Sequence, residues 1–241
     1  MGKKKVRLPG GVESALDTAL DRALEIQRPV VLAYLDRVRV RNPGATPAET
    51  IAQLERRYRA AVIGIGGASG AAAAVPGAGT AAALASGAAE IVAFVSATAM
   101  YVLAVAEIHG LPVSDPELRR ALVLAVLVGE GAAAAIEGVA GSAPHWAQVI
   151  GRSKSREKIA GINARLAKMM LTRFGARQGA LLFGRALPLG IGAGIGAVGN
   201  AALARVAITS ARRAFGPPPR EFPPRVVDAR PVSGESGARR T

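Results

Sequence analysis

The chain is 241 residues long and 50% hydrophobic but only 4% aromatic, with a formal net charge of +14 at neutral pH. It contains no cysteine, which excludes disulfides, thiolate catalysis and cysteine metal sites. Alanine and glycine carry much of the apolar share, a composition that favours close-packed helices over sheets.

Residues 1–10 read as a basic, flexible arm. No apolar stretch follows Met1-Gly2-Lys3-Lys4-Lys5, so it does not have the form of a secretory signal. A single helical domain is expected over 11–215. Its first helix spans 11–27, with Val12, Leu16, Leu20 and Leu24 on one face. Pro29 interrupts the pattern. Val30, Val31, Tyr34, Leu35 and Val38 then form a second stripe that ends at the turn Asn42-Pro43-Gly44. Thr46-Pro47-Ala48-Glu49 has the form of a capping box with proline at the first helical position. The helix it starts carries Ile51, Leu54, Tyr58 and Val62, with Glu55, Arg56, Arg57 and Arg59 beside them. The three arginines read either as a solvated face or as anchors to lipid phosphate.

This helix runs straight into the centre of the chain. No charged residue occurs from Ala61 to Ala89, and after Glu90 a second apolar run continues to Ala106. Two helices are expected, meeting near Val75-Pro76-Gly77-Ala78-Gly79. Gly66 and Gly70, continued by Ala74 and Ala78, make a ridge of small residues that lets helices approach closely, in the manner of a glycine zipper. Ala61 to Val75 is 15 residues, roughly 22 Å of helix at 1.5 Å per residue, against about 30 Å for a bilayer core. A buried hairpin in a soluble bundle and a membrane-embedded hairpin both remain open.

Glu107-Ile108-His109-Gly110 reads as a helix end with a glycine stop. Ser114 or Asp115 caps the next helix, which carries Leu118, Leu122, Ala125 and Val126. A short small-residue segment, 132–141, follows. Beyond His145-Trp146 comes a basic amphipathic helix. Arg152, Lys154, Arg156 and Lys158 open its charged face, and Ile159, Ile162, Leu166, Met169 and Met170 lie at helical spacing. Such a helix suits an anionic lipid surface with Trp146 at headgroup level, or else the solvated face of a soluble bundle. A second uncharged run, 186–204, contains Gly190, Gly192, Gly194 and Gly196, which suit close packing against the first glycine-rich stretch. Arg205, Arg212 and Arg213 close this helix. Residues 216–241, rich in Pro, Gly, Ser and Arg, read as a disordered basic tail.

Charge is segregated along the chain. Residues 1–59 carry 12 basic and 7 acidic groups, 60–151 carry 2 and 6, 152–180 carry 8 and 1, and 181–241 carry 9 and 3. Basic flanks around an apolar middle fit an anionic membrane surface. Nucleic acid is disfavoured, because stacking aromatics are sparse and no nucleic-acid motif occurs.

The candidates for chemistry are Glu90, Glu107, Glu130, Glu137, His109 and His145. Glu107 and His109 are two apart and so point to different sides of a helix, and no Glu-x-x-His pair fits a di-iron site. The two histidines lie far apart in sequence, a poor start for zinc. No nucleophile elbow or phosphate loop is present. Glu90 stands out because it interrupts an apolar stretch, where a carboxylate is costly unless paired. A polar pocket at Glu90, Glu107 and His109 is the expectation left for a ligand-binding or hydrolase-like alternative. No catalytic residue, metal or cofactor is assigned.

The layout resembles the EcsC family. The residues that carry the likeness are the helix pair from Val75-Pro76-Gly77 to Glu90, the segment AVAEIHGLPVSDPELRRALVLAVL, and PLGIGAGIGAVGNAALARVAITSARRAF, over roughly residues 30–215. The resemblance implies a bacterial, mostly helical protein associated with the membrane, and it implies no catalytic residue. Together these observations predict an all-α, non-enzymatic protein with a glycine- and alanine-rich central hairpin. Its expected place is the cytoplasmic side of the membrane, bound to anionic lipid or to an integral membrane partner. A homo-oligomer stays possible.

Overall fold

The structure, a computed structural model, describes residues 26, 28–73, 79–111, 114–140, 145–152, 155–185 and 191–224. The expected arm, the 11–27 helix apart from Ile26, Pro76 and its turn, Lys154, Gly190 and the tail from 225 lie outside them. Among the described residues every secondary-structure element is a helix, without strands. The helices are α1 (Arg28–Val40), α2 (Pro47–Ala73), α3 (Gly79–Ile108), α4 (Pro116–Val128), α5 (Ala132–Ala140), α6 (Trp146–Arg152), α7 (Arg156–Arg185) and α8 (Ile191–Phe215). A short 3₁₀ turn, Gly129–Gly131, joins α4 to α5.

Local chemistry sets these boundaries. At the start of α2 the Thr46 N–H donates to Glu49 Oε2 at 2.8 Å, and the Glu49 N–H donates to Thr46 Oγ1 at 3.3 Å. That is the reciprocal capping box read from the sequence. Asp115 Oδ1 caps α4 by accepting from the Glu117 and Leu118 N–H groups at 2.8 and 3.3 Å. At the end of α3 the N–H groups of Gly110 and Leu111 donate to the carbonyls of Glu107 and Ala106. Gly110 takes φ +71° there, a conformation open to glycine without a Cβ penalty.

The central apolar stretch forms two long helices, as expected, with α2 ending at Ala73 and α3 beginning at Gly79. Helix α8 packs most extensively against α2, and α3 lies against α1, α2, α4 and α8. From Tyr101 to Ile108 every residue of α3 is buried, the pattern of a helix surrounded by protein. The second layer pairs α4 with α7. Ile159, Ile162, Leu166 and Met170 turn inward from α7, whereas Arg156, Lys158, Arg165 and Lys168 are exposed. The basic segment is not one helix from 152: α6 ends at Arg152 and α7 starts at Arg156. Ser155 Oγ accepts from the Lys158 N–H at 3.4 Å in between.

Two expectations are corrected. Trp146 does not lie on the surface beside the basic helix. It is 8% exposed and belongs to the hydrophobic core, because burying a large ring gains more than leaving it in water. The tail is not loose from Gly216: residues 216–224 pack back on the bundle. The Arg39 guanidinium carbon lies over the Phe222 ring, 4.1 Å from the ring centroid, and Pro223 reaches Gly110 closely enough that a Cβ there would meet it at 3.3 Å. Prolines 217–219, 223 and 224 reduce the chain entropy that this docking must overcome.

Candidate functional site

The polar side chains of the α2–α3–α8 layer fall into two groups. The first surrounds Glu90, which is 4% exposed. Asn200 Nδ2, from α8, donates to Glu90 Oε1 at 3.0 Å and to the Val62 carbonyl of α2 at 3.1 Å. One amide therefore ties three helices together. Gly66, one turn beyond Val62, is buried. Gly70, Gly192, Gly194 and Gly196 lie on the same two helices, α2 and α8, and what packs around them falls outside the described residues.

The second group lies toward the other end of the layer. Tyr58 and Tyr101 stack with centroids 4.7 Å apart and planes at 10°. Thr98 Oγ1 donates to the Phe94 carbonyl at 2.8 Å. Its single proton is thereby used, so the Tyr58 hydroxyl donates to Thr98 across 2.8 Å. Burial pushes the ionisation of both tyrosines up. Glu55, also buried, holds Arg212 in a bidentate pair, Nε to Oε1 at 2.7 Å and Nη2 to Oε2 at 2.5 Å. This pairing holds the guanidinium's ionisation above its ordinary value.

Beside this pair lies a cavity of about 580 Å³, within the range of small-molecule sites. Helix α2 supplies Ala48, Ile51, Ala52 and Glu55 to its wall, and α3 supplies Tyr101 and Val105, with His109 just beyond. The end of α8 and the residues after it close the remaining side through Thr209, Arg212, Arg213, Phe215 and Pro217. His145 lines it too. The chain has two histidines in all, and both reach this cavity. They are 36 positions apart (145 − 109), so their distance along the chain hid a proximity that the helix packing creates. His109 stacks on Phe215 at 5.4 Å. Burial first, and the neighbouring His145 second, lower its pKa to about 4. At neutral pH it is an uncharged imidazole. His145 Nδ1 lies 3.4 Å from the Arg213 carbonyl. The chain can pass this ring only as glycine: Gly216 has φ +79°, and a Cβ there would come within 2.7 Å of the imidazole.

The expected pocket residues do not converge. Glu90 and Glu107 are 17 positions apart on α3 (107 − 90), roughly 26 Å along a helix. Glu107 instead accepts from Arg28 at 2.6 and 3.3 Å, at the start of α1. Of the three expected residues, His109 alone lines the cavity. Reading the sequence missed Glu55, Tyr101, Arg212 and Asn200. Two of them had a signal: Glu55 lies four residues after Ile51 on the buried stripe of α2, and Asn200 interrupts the second uncharged run as Glu90 interrupts the first.

Among the described residues no cluster of three His, Asp or Glu side chains is placed to hold a metal. Among the described residues one helical window, Ala89–Ile108, is long and apolar enough to cross a membrane by length and composition, and 72% of it is buried inside the molecule. The chain matches no protein family, and no curated protein or solved structure is detectably similar to it. The EcsC resemblance therefore rests on the residue pattern alone.

Proposed function

We propose that this is a non-enzymatic helical protein that binds an anionic membrane surface peripherally, on the cytoplasmic side. The observation that carries the reading is the two-sided character of α7. Its apolar side is spent on the core, and Arg156, Lys158, Arg165 and Lys168 are left exposed. Basic groups near an anionic leaflet are worth about 1 kcal/mol each. A peripheral mode is favoured over a spanning one because, among the described residues, the one helix apolar enough to span is mostly occupied by protein contacts. The same expectation follows from the EcsC-like layout. The glycine-zipper reading of α2 and α8 belongs here as well, as the means by which the bundle is held rigid behind its basic face. An integral membrane partner is an alternative target for that face.

Sedimentation with vesicles tests this. The wild type is expected to bind phosphatidylglycerol-containing vesicles, to ignore neutral ones, and to release as salt screens the charges. Replacing Arg156, Lys158, Arg165 and Lys168 by Gln should weaken binding by roughly 10²–10³-fold, with helicity unchanged. Equal binding by the wild type and this variant would defeat the proposal. The hydrolase-like alternative at Glu90 and Glu107 loses its motivation, since each carboxylate is engaged in its own structural contact.

A further inference from the structure

Tyr101 is 3% exposed and lines the cavity beside the Glu55–Arg212 pair. One face of its ring is spent on Tyr58, against which it stacks. Its hydroxyl is not spent: among the described residues none exchanges a hydrogen bond with it. Glu55 and Arg212 act on it through space only, being bonded to each other. The Tyr58 hydroxyl is taken up by Thr98. A phenol buried this deeply ordinarily finds a hydrogen-bond partner, and the cavity is where one can reach it. Burial keeps the Tyr101 hydroxyl protonated, so what it offers to the cavity is a donor. Three more rings, those of His109, His145 and Phe215, stand in the same wall. Flat aromatic molecules pack on such a surface by stacking and edge contacts. Glu55 and Arg212 satisfy each other, and Arg213 has a partner of its own, so neither arginine is left to select an anion. Tyr101 and His109 are eight positions apart on α3 (109 − 101), roughly 12 Å along the helix, the span of a fused two-ring molecule with its substituents.

We propose that this cavity binds a neutral aromatic carbonyl compound, its carbonyl oxygen accepting from the Tyr101 hydroxyl and its rings lying among His109, His145 and Phe215. An acceptor is required because the open group is a donor, and a neutral one because the charged side chains of the wall are already engaged. The cavity of about 580 Å³ is large enough for such a molecule. This goes beyond membrane association and makes no use of the basic face of α7.

The probe is prodan, an uncharged naphthalene ketone, titrated into the full-length protein without vesicles. Its emission should shift to the blue and saturate at one probe per chain. Dimethylaminonaphthalene, which lacks the carbonyl, is the comparison ligand. Tyr101→Phe removes the hydroxyl and keeps the ring. It should weaken prodan about five- to tenfold and leave dimethylaminonaphthalene unchanged. Its urea unfolding midpoint should match that of the wild type, since no protein group loses a partner. Two variants fill the cavity, Ala52→Trp on α2 and the more exposed Thr209→Trp on α8, both at lining positions. Each should weaken both ligands at least tenfold while circular dichroism stays as in the wild type. The α7 quadruple Gln variant should bind prodan as the wild type does, which separates this site from the membrane reading. The proposal is overturned if the wild type shows no saturable blue shift, if a folded cavity-filling variant binds unchanged, or if Tyr101→Phe affects the two ligands equally. A Tyr101→Phe protein of clearly lower stability would overturn it too, because the hydroxyl would then be bonded within the protein. Loss of prodan binding in the α7 variant would place the probe on the basic face instead. Should both tryptophan variants fail to fold, the Tyr101→Phe comparison of the two ligands decides.

Discussion

Around Asn200 the helices α2, α3 and α8 meet through one amide; around Arg212, about 18 Å further along α8, they meet across a cavity. The difference follows from side-chain size. Near Asn200 the buried position on α2 is Gly66, so two backbones come close enough for a short amide to reach a main-chain carbonyl. The Val62 carbonyl already accepts within α2, and Asn200 takes up its second lone pair. Near Arg212 the inward residues are Tyr58, Tyr101 and Phe215. Rings of that size hold the helices apart, and the space between them is not filled. One end of the layer is thus built for packing and the other has room for a guest.

The largest effect should come from removing the amide. Asn200→Leu keeps the volume but takes a charge-assisted hydrogen bond from a carboxylate that is 4% exposed. We expect a loss of about 2–3 kcal/mol in urea unfolding. Adding Glu90→Leu should recover much of it, because the buried charge is then gone as well. An Asn200→Leu protein as stable as the wild type would mean that the amide is incidental. Gly66→Leu tests the close approach itself and should cost about 1–3 kcal/mol by overpacking. If its unfolding midpoint matched that of the wild type, the packed end would tolerate the separation that the cavity end already shows.

The packed end was more legible in the sequence than the cavity end, for a physical reason. Helix ends on both sides were legible too, the cavity end included: capping at Thr46 and Asp115 and the stop at Gly110 depend on neighbours within a few residues, so their spacing reveals them. The uncharged runs announced α2, α3 and α8, and two polar residues that interrupt them, Glu90 and Asn200, turn out to hydrogen-bond to each other. The cavity has no such local signature. Its histidines come from two separate connections, and its ion pair joins residues 157 positions apart. Trp146 misled because a basic neighbourhood in sequence resembled a membrane interface, whereas in space the ring faces the core. The residues after Gly216 misled through composition alone: proline-rich chain can dock when an aromatic such as Phe222 finds a partner.

Acid should separate the two ends. His109 has its pKa lowered from 6.5 to about 4, so across that window the unfolded chain takes up a proton that the folded chain refuses. The stability contribution is complete above pH 6.5 and is lost as pH falls toward 4. The ring is only part-buried, and screening reduces the effect to on the order of 1–2 kcal/mol. Thermal melts between pH 7 and 4 should show this loss in the wild type, with a flatter profile in His109→Gln. His145, Glu55 and Arg212 face the same space and remain in that variant. A loss of equal size in His109→Gln would place the acid-sensitive group elsewhere.

The smallest effect gives the finest comparison, because it concerns two adjacent residues. Gly67 follows Gly66 on α2, but a Cβ built on it meets nothing within 4 Å. Helical rotation turns it away from the contact that buries its neighbour. A glycine inside a helix costs roughly 0.5–1 kcal/mol relative to alanine. Gly67→Ala should therefore stabilise the protein by about that amount, in the opposite direction to Gly66→Leu. Gly161 on α7, equally open, should respond to Ala in the same way and serves as a control far from α2. A gain at Gly161 without one at Gly67 would mean that α2 needs glycine on more than one face, so that its small residues serve a contact wider than the one Asn200 makes.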